Sequence, residues 1–238
     1  MDWDAFFTLH SDLPREGPGD RDSLDWALSL AGVPHDGAIC DAGCGPGDDI
    51  AGLLAHVPDG TVEALDLYDG FVAQAARRFI TDPRVTVRQG DMGALSGPYD
   101  LIWSAGAVYF LGVTEALTAW RTVLAPGGAV AFSQACWFTD RPSDAARAYW
   151  EREYPQMTDI AGVNAQIAAA GYDVVGQRPL SDAAWEAYFT PLEARIAELR
   201  PGASAALAAV LDENEAEIAT WRAHRAEYGY LLSVVRPA

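Results

Sequence analysis

An α/β fold built on an open, doubly wound and mostly parallel sheet is predicted by three observations on this sequence. Apolar runs of strand length alternate with amphipathic stretches of helix length. Turn-forming clusters of Pro, Gly and Asp separate them, and a polar or acidic residue closes or follows each of the first four apolar runs. The strands fall near 38–42, 61–66, 84–88, 99–104 and 128–134, and the helices near 48–57, 69–80 and 113–124. Pro58-Asp59-Gly60, Asp82-Pro83, Gly97-Pro98 and Ala125-Pro126-Gly127-Gly128 lie between elements. After residue 136 the pattern changes: 142–170 reads as helical, 172–179 as a strand, and 228–235 as a final strand. Between those two strands, 182–199 and 203–226 read as helices separated by Arg200-Pro201-Gly202. The expected division is an N-terminal arm and helix over 1–35, a ligand-binding core over 36–136, a helical cap or insertion over 137–171, and the C-terminal part of the core over 172–238.

The 238 residues, half of them apolar, suffice for one α/β domain with a small cap. Sixteen basic against thirty-four acidic residues give a formal charge of -18, which opposes attraction to phosphate backbones or anionic lipid, so neither nucleic acid nor a membrane is expected as a partner. No apolar run approaches the roughly 20 residues that span a bilayer, and Met1-Asp2-Trp3-Asp4 lacks a signal peptide's basic and apolar regions; the expected compartment is the cytoplasm. Cys40, Cys44 and Cys136 form neither a disulfide framework nor a zinc-ligand pattern and are assigned no catalytic role. No His/Asp/Glu group has recognisable ligand spacing, so no metal is expected.

The most informative stretch is residues 38–47, Ala-Ile-Cys-Asp-Ala-Gly-Cys-Gly-Pro-Gly, in which an apolar strand runs into alternating glycines at Gly43, Gly45 and Gly47. Without a Cβ, glycine lets backbone approach a ligand closely, and Asp48 and Asp49 are expected to cap the helix that follows. Ligands of such sheets bind at the carboxyl ends of the strands, where strand order reverses. Asp41 closes the first strand, Asp66 the second, Asp91-Met92 follow the third and Trp103-Ser104 close the fourth. A dinucleotide fingerprint, G-x-G-x-x-G, would need a third glycine where this chain has Asp48.

The string Asp41-x-Gly43-x-Gly45-x-Gly47 resembles motif I of the class I S-adenosylmethionine-dependent methyltransferases, and the resemblance covers most of residues 36–135. Asp66 matches the acidic ribose-binding position, Gly90-Asp91-Met92 the adenine-binding segment, Tyr99-Asp100-Leu101-Ile102 the fourth-strand motif and Leu124-Ala125-Pro126-Gly127-Gly128 the turn before strand five. The resemblance implies a Rossmann-like sheet with an antiparallel last strand, S-adenosylmethionine as cofactor, and a methyl group passed to a small molecule by in-line displacement. It implies cofactor contacts from Arg15, Asp41, Gly43, Cys44, Gly45, Asp66, Leu67, Asp91, Met92 and Ser104. Asp66 would accept from the ribose hydroxyls and Asp41 would meet the ammonium. Backbone amides of the loop and helix start would receive the methionyl carboxylate.

Residues 13–20, Leu-Pro-Arg-Glu-Gly-Pro-Gly-Asp, look like the arm of a bacterial subgroup of small-molecule methyltransferases, as does 100–109, where the subgroup usually has an acid and this chain has Ala105. Arg15, beside flexible glycines, is expected to close over the cofactor's carboxylate or an anionic substrate. A general base is needed only for a protonated acceptor; Tyr109, Glu153, Tyr154 and His10 are the candidates. The aromatic run after strand five nominates Trp137, Trp150 and Tyr154, with Tyr109, for substrate binding, since aromatic faces attract cations. Helix 203–226 reads as scaffold or as a homodimer contact. Two other readings stay open: an RNA or protein methyltransferase, and a non-catalytic S-adenosylmethionine-binding protein.

Overall fold

A central strand, β1 (Ala38–Ala42), is flanked by β2 (Thr61–Asp66) on one side and β4 (Tyr99–Ala105) on the other, both parallel to it. The sheet grows outward through β3 (Val85–Gln89) beside β2 and β5 (Leu124–Trp137) beside β4. It is completed by β8 (Tyr228–Pro237), antiparallel between β5 and β7 (Tyr172–Pro179), giving the order β3-β2-β1-β4-β5-β8-β7. A two-residue strand, β6 (Thr158–Asp159), pairs with the end of β5. The computed structural model describes residues 2–238. Strand order reverses between β1 and β4, so the predicted mostly parallel sheet and its antiparallel last strand put the crevice above Asp41 and Ser104.

Helices α2 (Arg21–Ala31), α3 (Ile50–His56) and α4 (Asp69–Phe79) share one apolar core with the sheet. Helices α5 (Val113–Trp120) and α7 (Ile160–Ala169) form the second core on the opposite face. Asp20 caps α2 by accepting from the Ser23 amide at 2.7 Å, and Gly32 ends it in the left-handed region at φ 63°. Three further helices, α1 (Trp3–His10), α8 (Asp182–Leu199) and α9 (Ala205–His224), pack on one another. Trp185 of α8 stacks on Trp221 of α9 with ring centroids 5.0 Å apart. The inner stripe of α9, with Val210, Leu211, Ile218 and Trp221 buried, is therefore scaffold.

The continuous helix expected over 142–170 is broken. It ends as α6 (Asp144–Glu153) because Tyr154 precedes Pro155 and takes an extended φ of -149°. Asp159 then starts α7 by accepting from Gly162 at 2.8 Å. Of the two, α6 packs against α9, while α7 covers the sheet beside β7. Strand β5 runs past the expected residue 134 because β8 and β6 pair its last residues, Cys136 with Gly229 and Thr158.

Candidate active site

The glycine loop is fixed by its own backbone. Gly43 has φ 80°, and a Cβ there would lie 2.5 Å from that of Ala107, so both conformation and space require glycine. The amides of Gly43 and Cys44 donate to the Leu65 carbonyl at 2.9 and 3.0 Å, the Gly45 amide to Asp66 Oδ2 at 2.9 Å, and the Gly47 amide to the Cys44 carbonyl at 3.0 Å. These donors are spent within the protein, which corrects the expectation that the loop's glycine amides receive a ligand carboxylate. The loop contributes shape instead: a Cβ on Gly45 would meet only the Glu16 side chain, 3.5 Å away.

Asp66 also accepts from the Tyr68 amide at 2.9 Å, so each carboxylate oxygen is anchored by one N–H and keeps lone-pair capacity for further donors. Asp41 is buried, and its Oδ2 has no hydrogen-bond partner. Burial, with Asp49 and Asp66 near it, holds its carboxyl well above the usual range, only partly offset by Arg15. Asp49 stands at the cap position of α3 but makes no capping bond; its carboxylate accepts from Trp103 Nε1 at 2.9 Å and pairs with Arg15 at 3.4 Å. The expected caps Asp48 and Asp49 thus serve Arg15.

Arg15 is buried against this loop, donating to the carbonyls of Gly17 (2.7 Å) and Gly19 and pairing with Asp48 at 3.3 Å. Its guanidinium is turned onto the protein's own carboxylates, not outward as a clamp. His10, also buried, binds Glu16 through Nδ1 at 2.6 Å and stacks on Phe6 at 4.0 Å, while its Nε2 has no partner. Desolvation raises the Glu16 carboxyl, partly countered by His10.

On the other side of the loop, Leu67 is exposed, Asp91 accepts from the Gly93 amide at 2.7 Å, and Met92 Sδ lies 3.7 Å from where a Gly43 Cβ would be. Phe7 of α1 stacks on Tyr68 at 3.5 Å, drawing the arm across this edge. Ser104 is fully buried and its hydroxyl donates to the Ala42 carbonyl at 2.9 Å, tying β4 to β1.

A sequence profile for a methyltransferase domain matches residues 39–128, the segment that carries the loop and all three strand-end acids. Residues 39–128 carry a methyltransferase domain. Trans-aconitate 2-methyltransferase of Deinococcus radiodurans is 36% identical over 95 residues, 39% of this chain and 36% of the relative. Malonyl-[acyl-carrier protein] O-methyltransferase of Enterobacter lignolyticus is 36% identical over 133 residues, 53% of this chain and 48% of the relative. These alignments thus span less than half of the relatives' own length. In fold, the chain superposes on a SAM-dependent methyltransferase from Geobacter sulfurreducens, solved with S-adenosyl-L-homocysteine, at a TM-score of 0.82 and 20% identity, covering 99% of this chain and 98% of the other.

Beyond the methyltransferase domain's loop, the aromatic residues converge. Tyr109, on the 3-10 turn after β4, lies 6.0 Å from Tyr154, and burial pushes its phenol up to about 12. Trp150 meets Tyr228 at 5.2 Å and Trp137 meets Tyr228 at 6.0 Å. Trp137, Trp150 and Tyr154 also line a cleft of about 400 Å³ with Arg147, Met157 and Asp159. Glu153 is exposed and paired with Arg152 at 2.7 Å. Sequence reasoning missed Glu16, whose only signal was its place beside Arg15. It also missed Gln134, Tyr230 and Glu217; the last sits in a run of acids that reads as a solvated face. Among the described residues no His/Cys/Asp/Glu group could hold a metal ion, and no helix is long and apolar enough to cross a membrane.

This cluster makes stability depend on pH in an unusual direction. Glu16, Asp41 and Asp49 are all raised, and desolvation lifts Glu217 to about 7. The folded chain therefore binds protons more tightly than the unfolded one, and stability falls as pH rises from the usual carboxylate range to about 7. The groups held low, Asp20, Glu186 and Glu227, act only below that range. Melting at about pH 5.5 is expected to exceed that at pH 8 by on the order of 5 °C; a midpoint flat or rising to pH 8 contradicts this electrostatic account.

Proposed function

We propose that the protein transfers a methyl group from S-adenosylmethionine to a small-molecule acceptor. The observation that carries the reading is Asp66, a strand-end carboxylate held by the Gly45 and Tyr68 amides with acceptor capacity left over, immediately beside the glycine loop. Its two oxygens suit the paired hydroxyls of a ribose. The unpartnered Oδ2 of buried Asp41 suits an ammonium, and Asp41, Asp66 and Glu16 together outnumber the one guanidinium near them, which favours a ligand carrying positive charge. Met92 beside Gly43, with Leu67 and Asp91, would take the adenine.

When bound, the cofactor supplies an electrophilic sulfonium methyl. The chain's part is positioning, for which oriented reactions suggest about 7–11 kcal/mol. Desolvation raises the Tyr109 phenol, which disfavours its phenolate as a base, and Glu153 is exposed and paired with Arg152. His10 is the better candidate: Glu16 anchors Nδ1, leaving Nε2 to take a proton from an acceptor that needs it. Every residue in this reading comes from one chain, and a cytoplasmic location is part of it. The curated relatives are named for acidic acceptors; no observation favours RNA or protein as substrate.

The test is incubation of the purified protein with methyl-labelled S-adenosylmethionine and a metabolite pool. Label is expected to appear in one or a few small molecules, together with S-adenosylhomocysteine. Label retained entirely in the cofactor while binding persists would favour the non-catalytic reading.

A further inference from the structure

We propose that the acceptor carries an ammonium group, held by the carboxylate of Glu217 inside a ring of tyrosines. This deepens the methyltransferase reading and rests on it for the chemistry, but the site itself is defined by other residues.

Glu217 lies on the inward stripe of α9, three residues after buried Asn214 and four before buried Trp221. Helices α1, α6 and α8 and strand β8 all pack against α9, and this brings five tyrosines within range of the Glu217 charge: Tyr149 of α6, Tyr188 of α8, Tyr228 and Tyr230 of β8, and Tyr109 after β4. The position of Tyr230 is allowed by Gly106, at the end of β4, where a Cβ would lie 3.0 Å from its ring. Tyr228 is walled by Trp137 and Trp150, so the ring faces continue to the aromatic cleft.

The charge balance of this space is one-sided. The chain has no lysine, and among the described residues none of the sixteen arginines pairs with Glu217. Arg152 is tied to Glu153, and Arg147 lines the outer cleft. The basic group within range of Glu217 is His10, already bound to Glu16. Glu217 itself is half-buried, and two polar side chains that are almost fully buried have unpartnered atoms: His10 Nε2 and Gln134 Oε1, the latter side chain neighbouring the Tyr154 hydroxyl. A carboxylate ligand would face Glu217 with no guanidinium paired to it. An ammonium would meet an unpaired carboxylate, an amide oxygen and aromatic faces, the combination that recognises organic cations.

The experiment uses pairs of probes that share a skeleton and carry either an ammonium or a carboxylate: ethylamine with propionate, phenethylamine with 3-phenylpropionate, and tryptamine with indole-3-propionate. Each is titrated calorimetrically into the purified chain at about pH 8, with and without S-adenosylhomocysteine. At least one amine is expected to bind ten-fold or more tightly than its acid. Glu217→Gln, which keeps the side-chain shape, is expected to erase that preference while leaving S-adenosylhomocysteine affinity within two-fold. Equal or tighter binding of the acids, no binding of any amine, or a preference that survives Glu217→Gln overturns the proposal. Failure of S-adenosylhomocysteine to bind counts against the methyltransferase reading alone, because the amine preference is read in its absence too.

Discussion

Arg15→Ala is expected to lower the free energy of unfolding by about 3–5 kcal/mol, measured by urea denaturation at pH 8. The size follows from what the guanidinium holds. It binds the carbonyls of Gly17 and Gly19, which fold the arm, and the carboxylates of Asp48 and Asp49, which begin the segment after the loop. Truncation leaves the buried carboxyls of Asp49 and Asp41 near each other with no counter-charge. Both carboxyls can relieve this by taking up protons, so the loss is expected to be smaller at pH 5.5 than at pH 8. Arg15→Lys restores charge but not the forked geometry and should recover only part of the loss. A loss under about 1 kcal/mol at pH 8 would place Arg15 among ordinary surface arginines, whose ion pairs are worth that much or less.

Asp66→Ala is expected to weaken S-adenosylhomocysteine binding by at least about 100-fold, since hydrogen bonds to a charged partner are each worth about 1.5–3 kcal/mol and the ribose diol would lose two. The same substitution orphans the Gly45 and Tyr68 amides, which should lower stability by about 1–3 kcal/mol. Asp66→Asn separates the two effects. It keeps an oxygen for one anchor but replaces the other acceptor with a donor, so binding should fall further than stability.

The parts of this protein that were legible in its sequence are those whose partners are local. Strands β1, β2 and β4 begin where alternation and turn residues put them; Asp66 closes β2 as read, and Asp41 stands one residue before the end of β1. What was less legible depended on distant partners. Arg15 was expected to reach a ligand, yet Asp48 and Asp49, more than thirty residues on, fold back to claim it. Ser104 carries a hydroxyl at a strand end, but β1 alongside supplies a carbonyl for it. Glu217 sits in Asp212-Glu213-Asn214-Glu215-Ala216-Glu217, which reads as solvated. The spacing of Val210, Asn214, Glu217 and Trp221 was the signal that one acid faces inward, and only the packing of α1, α6, α8 and β8 onto α9 shows what it faces.

The central claim is that the glycine loop and Asp66 form a site for S-adenosylmethionine. Calorimetric titration of the purified chain with S-adenosylhomocysteine tests it most directly, with Asp66→Ala run alongside. Saturable binding of one molecule per chain, lost in the variant, is the predicted result. Absence of binding to the wild-type chain, or equal affinity in Asp66→Ala, would contradict it.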